Sequence, residues 1–107
     1  MNLKVKPFEN NIGASISCNL KLIDSEIINQ IKETLDNFGF VCFRDQNLKP
    51  GEYLKFAKQL GKVKEYPMLK DLENYKGITV VERKESDKGK SYGEGWHTDS
   101  SYLNKTP

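Results

Sequence analysis

"LIDSEIINQIKETLDNFGFVCF", residues 22–43, reads as a helix followed at once by a strand. Asp24 or Ser25 can accept the free N–H groups of a helix start, and Glu26 suits the positive end of the helix dipole. Ile27, Ile28, Ile31, Leu35 and Phe38 recur at helical spacing, which predicts one apolar face, and Gly39 supplies a left-handed stop. That stripe is core rather than a cofactor-binding face. "FVCF" at 40–43 is a continuous apolar run between Gly39 and the charged Arg44-Asp45, as expected of a short strand buried on both faces.

Upstream, "IGASISCNL" alternates, with Ile12, Ala14, Ile16 and Cys18 on one side and Gly13, Ser15 and Ser17 on the other. This is the period of a half-buried strand, expected over 12–18 and preceded by a short one at 3–8. Downstream, "LKPGEYLKFAKQLG" predicts a second helix, with Pro50 in the first turn, Tyr53, Phe56, Ala57 and Leu60 inward, and Gly61 at its end. Lys55, Lys58 and Lys62 fall on its outer face, where they solvate it.

"GITVVERK" at 77–84 is the strongest β-branched run and predicts a strand. "ESDKGKSYGEG" at 85–95 follows, with three glycines and almost nothing to bury, and predicts a mobile loop that either closes over a site as a lid or is plainly disordered. The residues "WHTDSSY" at 96–102 favour extended structure. Strand, helix, strand, helix, strand, loop, strand is an incomplete α+β order, with strands that await partners.

With 107 residues, 36% of them hydrophobic, the chain has material for one modest core, so a single domain or part of one is expected. A net charge of +2 with dispersed lysines argues against nucleic-acid binding, which draws on clustered cations. Cys18 and Cys42 are 24 positions apart with no CxxC, which suggests reduced, mostly buried thiols rather than a zinc ribbon or disulfide scaffold. No leader-like or membrane-spanning apolar run is present, so a soluble, cytoplasmic protein without a membrane partner is expected.

His97 is the only histidine, and Asp99 lies two positions beyond it. On a strand these side chains share a face, presenting an imidazole and a carboxylate together while Thr98 turns away. The pair suits a metal site with two histidines and one carboxylate, although a lone His beside an Asp is more often a hydrogen-bonded structural pair. A serine-hydrolase triad with Ser100 or Ser101 is excluded by geometry, because same-strand neighbours splay apart.

"IGASISCNL", "FGFVCFRDQNLKPGEYLKFAKQLGKV" and "GWHTDSSYLNKTP" together resemble the opening blocks of the taurine dioxygenase and 2,4-dichlorophenoxyacetate dioxygenase family, from Ile12 to Pro107. The resemblance implies an Fe(II)- and 2-oxoglutarate-dependent dioxygenase. The implied fold is a partial double-stranded β-helix, jelly-roll-like, with two N-terminal helices. His97 and Asp99 then correspond to the first two iron ligands, with the second imidazole nitrogen held by an acceptor elsewhere. Dioxygen and a small organic substrate are the implied partners, with succinate and carbon dioxide as products.

Several positions depart from the family pattern. The family's second histidine and its 2-oxoglutarate-binding arginine are expected downstream of Pro107, so residues 1–107 correspond to the N-terminal part of a single dioxygenase domain, incomplete and inactive alone. Arg44, in "FRDQ", is expected to form a structural ion pair. Where taurine-oxidising members place a His and a Tyr after the second helix and an Asn before the motif, the matching positions here read Tyr66, Leu69 and Gly93. Tyr66 is a candidate substrate-binding residue, or is simply packed at a turn before Pro67. Trp96 either walls the site from water or anchors the core. A homo-oligomer or a complementary second-half chain would complete the enzyme. The alternative is a non-catalytic binding or assembly module derived from the same fold.

Overall fold

The computed structural model describes residues 3–66 and 68–106. The chain divides into two compact units, Met1–Val63 and Lys64–Pro107.

In the first unit, β1 (Lys4–Pro7) pairs antiparallel with β2 (Ala14–Ser17), Val5 standing opposite Ile16. The link turns on Asn10 and Asn11, both left-handed, a conformation that asparagine tolerates better than most residues. Helix α1 (Ser25–Phe38) then carries the chain over to β3 (Val41–Cys42), which runs parallel to β2, as parallel pairing requires a crossover. Asp24 caps α1, its Oδ1 accepting the Ile27 N–H at 2.9 Å, and Gly39 ends it at φ 82°.

Ile27, Ile28 and Ile31 bury as the spacing predicts, joining Ile16, Leu20 and Phe56 in one cluster. Each such side chain contributes about 1.5–3 kcal/mol of burial free energy. Thr34 is also buried, and its hydroxyl donates to Gln30 O at 2.7 Å. Leu35 is 39% exposed instead of inward. A 14-residue helix is about 21 Å long, against roughly 13 Å for a four-residue strand, so the last turn of α1 outruns the strands. Ile12, 67% exposed, likewise lies outside β2, which is shorter than the predicted 12–18.

The strand expected at 40–43 forms only at Val41–Cys42, and both residues are half-buried. The reason is topological: among the described residues the sheet order is β1-β2-β3, so β3 lies at an edge rather than in the middle. Phe40 is 45% exposed. Helix α2 (Pro50–Leu60) starts at the predicted proline, with Lys49 N–H donating to Glu52 Oε2 at 2.8 Å. Phe56 is its buried anchor and meets Phe43 edge-on at 5.7 Å. Tyr53, expected inward, is exposed.

The "FRDQ" block holds the unit together through its glutamine, not its arginine. Gln46 Nε2 donates to Cys18 O and Arg44 O, each at 2.9 Å, and its Oε1 accepts the Leu20 N–H at 3.2 Å. Among the described residues Arg44 forms no ion pair, contrary to expectation. Cys18 and Cys42 are free thiols, half-buried, and burial pushes the Cys18 thiol up from its ordinary value.

In the second unit, β4 (Asp71–Leu72) and β5 (Tyr75–Thr79) form a hairpin through the left-handed Asn74. The strand predicted at 77–84 therefore lies earlier, and Val81 is exposed beyond its end. Residues 83–95 form hydrogen-bonded turns: Arg83 Nη2 donates to Gly89 O at 2.9 Å, and Asp87 Oδ2 accepts the Lys84 N–H at 2.8 Å.

The α+β class holds, with two α-helices and five strands among the described residues, in separate three- and two-stranded sheets. That is fewer than the eight strands of a complete jelly roll. No helix among the described residues is long and apolar enough to cross a membrane.

Candidate metal centre

Residues 96–102 do not form the extended strand the sequence predicts; 99–102 are turns. Ser100 is left-handed at φ 44°, and Leu103 N–H donates to Ser100 O at 3.1 Å. The short polar side chains of "TDSS" favour such local bonding over an extended run that lacks a ladder partner. Lys64 donates to Lys105 O, tying the end of this turn to the start of the unit.

His97 and Asp99 nevertheless meet. Nε2 of His97 stands 3.2 Å from Asp99 Oδ1, with the two side chains 53% and 81% exposed. Nδ1 of His97 lies 2.6 Å from Gly95 O. A carbonyl oxygen can only accept, so Nδ1 is the donor in that contact and Nε2 is the nitrogen turned toward the carboxylate. At 3.2 Å the two groups are bridged either by a proton on Nε2, as a direct hydrogen bond, or by a metal ion held between Nε2 and Oδ1. First-row cations hold imidazole nitrogen and carboxylate oxygen at roughly 2.0–2.2 Å, so ligands at adjacent corners lie about 3 Å apart. The donor set fits such an ion in chemistry and in spacing. Among the described residues no third His, Cys, Asp or Glu joins the pair.

A cavity of about 520 Å³ opens beside the pair, and Tyr66, Leu69 and Gly93 all line it together with His97 and Asp99. The three positions singled out by the resemblance are thus brought to one place. Gly93 sits against the imidazole: a Cβ there would be 3.7 Å from His97 Cε1. Trp96 is fully exposed and absent from the cavity lining, so among the described residues it neither anchors the core nor walls the site.

Sequence reading missed Tyr92, Tyr102 and Val81 in this lining. In sequence Tyr92 falls within the glycine-rich run, Val81 within the β-branched run and Tyr102 within a segment that favours extended structure, and none of these patterns points to a cavity. It also missed the Gly95 carbonyl, because backbone acceptors carry no side-chain signature. A glycine two positions before the sole histidine was the available signal.

The profile of the taurine catabolism dioxygenase TauD, TfdA family matches residues 4–107. Among solved structures, the chain is similar to a protein from Burkholderia xenovorans described as an alpha-ketoglutarate-dependent taurine dioxygenase. The identity is 26% and the TM-score 0.64, over 70% of this chain and 28% of that one. A second taurine dioxygenase from Burkholderia xenovorans is 25% identical with a TM-score of 0.64, over 71% of this chain and 28% of that one. The chain thus spans little more than a quarter of the length of either protein.

Proposed function

Because the chain belongs to the taurine catabolism dioxygenase TauD, TfdA family, we propose that it forms the N-terminal part of a single Fe(II)- and 2-oxoglutarate-dependent dioxygenase domain. In this reading β1–β3 are the first strands of a double-stranded β-helix. His97 and Asp99 hold the iron, and the remaining protein ligand and the 2-oxoglutarate anchor are supplied from outside residues 1–107. The observation that carries the metal assignment is the facing pair, Nε2 and Oδ1 at 3.2 Å, with Nδ1 engaged by Gly95 O.

The roles of the chain's own groups follow from that geometry. The Gly95 carbonyl fixes the tautomer and ring orientation of His97, leaving Nε2 free to ligate. Asp99 contributes the negative charge that attracts a divalent cation. Tyr66 offers its ring to the substrate as a wall and its hydroxyl as a hydrogen-bond partner. Bound iron with 2-oxoglutarate would supply dioxygen activation and substrate oxidation, releasing succinate and carbon dioxide.

Two ligands hold a labile cation weakly, so the isolated chain binds Fe(II) feebly and turns over no 2-oxoglutarate. Succinate release with iron, ascorbate and 2-oxoglutarate tests this directly. Turnover comparable to a complete dioxygenase, unchanged in Asp99→Ala, would overturn the assignment.

A further inference from the structure

Residues 91–99 are all exposed, so burial does not fix the direction in which the His97 ring points. Local bonds do, and they converge on a tight turn at 91–94. Glu94 N–H donates to Ser91 O at 3.2 Å, and the Glu94 carboxylate reaches back, its Oε2 accepting the Ser91 N–H at 2.6 Å. The turn is thus closed twice, once through backbone and once through the Glu94 side chain, in the reciprocal manner of a capping box. Gly93, at its third position, has φ +74°, the left-handed value that a type II turn demands there.

Two contacts carry that turn to the candidate metal pair. The imidazole lies against Gly93, where a Cβ would stand 3.7 Å from Cε1, and Nδ1 lies 2.6 Å from the carbonyl of Gly95, the residue directly after Glu94. Opening the turn would move Gly93 and the Gly95 carbonyl together, and with them the ring that presents Nε2 to Asp99. Every one of these contacts falls within residues 91–97, so the arrangement draws on no other part of the protein. Glu94 is not itself a third ligand, because among the described residues no further His, Cys, Asp or Glu joins the pair.

We propose that Glu94 is a positioning residue for the metal centre: its carboxylate locks the 91–94 turn, and the locked turn holds Gly93 and the Gly95 carbonyl against His97 so that Nε2 is aimed at the cation. The proposal rests on the reading of His97 and Asp99 as metal ligands. A ligand already held in its bound orientation binds more tightly, because its ordering is complete before the ion arrives.

Glu94→Ala removes the acceptor and the charge together, whereas Glu94→Gln removes the charge and keeps an oxygen that accepts the Ser91 N–H. Both substitutions are made in the 107-residue chain. The first readout is metal-free, in EDTA: the nuclear Overhauser effect between His97 Hε1 and the Gly93 Hα protons. It should be present in the wild type and in Glu94→Gln and lost in Glu94→Ala, with the amide resonances of the first unit and of β4 and β5 unchanged in both. The second readout is the Mn(II) dissociation constant from broadening at residues 93–102. It should rise about threefold or more in Glu94→Ala and stay within about twofold of wild type in Glu94→Gln, a smaller effect than the roughly 10–100-fold lost with a group that bonds a metal ligand directly.

Equal weakening in the two variants would make Glu94 a source of charge or a direct ligand, and would overturn the proposal. So would a wild-type chain without the His97–Gly93 effect, an alanine variant that keeps it, or resonance changes spread through the first unit. Absent Mn(II) broadening in the wild type would overturn the iron reading, and with it the metal half of the proposal, while the metal-free effect decides separately whether Glu94 holds the ring.

Discussion

The ring of Phe40 occupies the space that a side chain on Gly13 would need: a Cβ built there would lie 2.1 Å from the ring's Cζ. Gly13 also sits at φ +81°, and its N–H donates to Phe38 O at 2.7 Å. The contact joins the start of β2 to the end of α1. Gly13→Ala should therefore destabilise the first unit by about 1–3 kcal/mol, measured by urea unfolding. In a Phe40→Ala background the ring clash disappears, so the penalty should shrink toward the roughly 1–2 kcal/mol of the backbone conformation alone. Equal penalties in the two backgrounds would mean that the ring does not constrain Gly13.

Helix α1 gives a second test, because its predicted face and its buried face differ. Ile31, 1% exposed, should cost about 2–5 kcal/mol on truncation to alanine. Leu35→Ala, on the overhanging last turn, should cost less than Ile31→Ala by 1 kcal/mol or more, and Tyr53→Ala on α2 should behave like Leu35→Ala. Thermal or denaturant melts of the three variants settle the order.

In the "FRDQ" block the glutamine, not the arginine, should matter for stability. Gln46→Ala removes two bonds to backbone carbonyls and one from the Leu20 N–H, with an expected loss of about 1–3 kcal/mol. Arg44→Ala should change stability by no more than about 0.5 kcal/mol. The reverse order would restore the ion-pair role expected from sequence.

The start of α2 carries an acid-sensitive contact. The hydrogen bond from Lys49 N–H, aided by the charge of Lys21 at 3.5 Å, holds the Glu52 carboxyl below its ordinary value of 4.5. A depressed carboxylate contributes stability above its ordinary range and loses it as pH falls through the lowered value. Stability should therefore decline on acidification below about pH 4.5, and Glu52→Gln should show a smaller decline. Parallel melts between pH 7 and pH 3 measure the difference.

The first unit was the more legible in sequence, and the reason is physical. α1, α2 and β2 are specified by periodicity, by Asp24, Pro50 and Gly39, and by local bonds within a few residues. Burial depended on longer relationships. Leu35 and Tyr53 share the helical period of their neighbours, and only the short strands and the narrow contact of α2 leave them exposed. At the candidate site, the meeting of His97 with Asp99 was legible as a spacing, although a turn rather than a strand brings them together. The three tyrosines come from 66, 92 and 102, separated by a hairpin and a run of turns, and no local pattern announces that they share a cavity.

The most direct test of the account is the binding of Mn(II), a paramagnetic stand-in for Fe(II), to the 107-residue chain, read as broadening of its amide and imidazole resonances. Selective broadening of residues 93–102, centred on His97 and Asp99 and abolished by His97→Ala and by Asp99→Ala, is the predicted result. Broadening centred on other acidic side chains, or a pattern at 93–102 unchanged in both variants, would contradict the assignment of this pair as metal ligands.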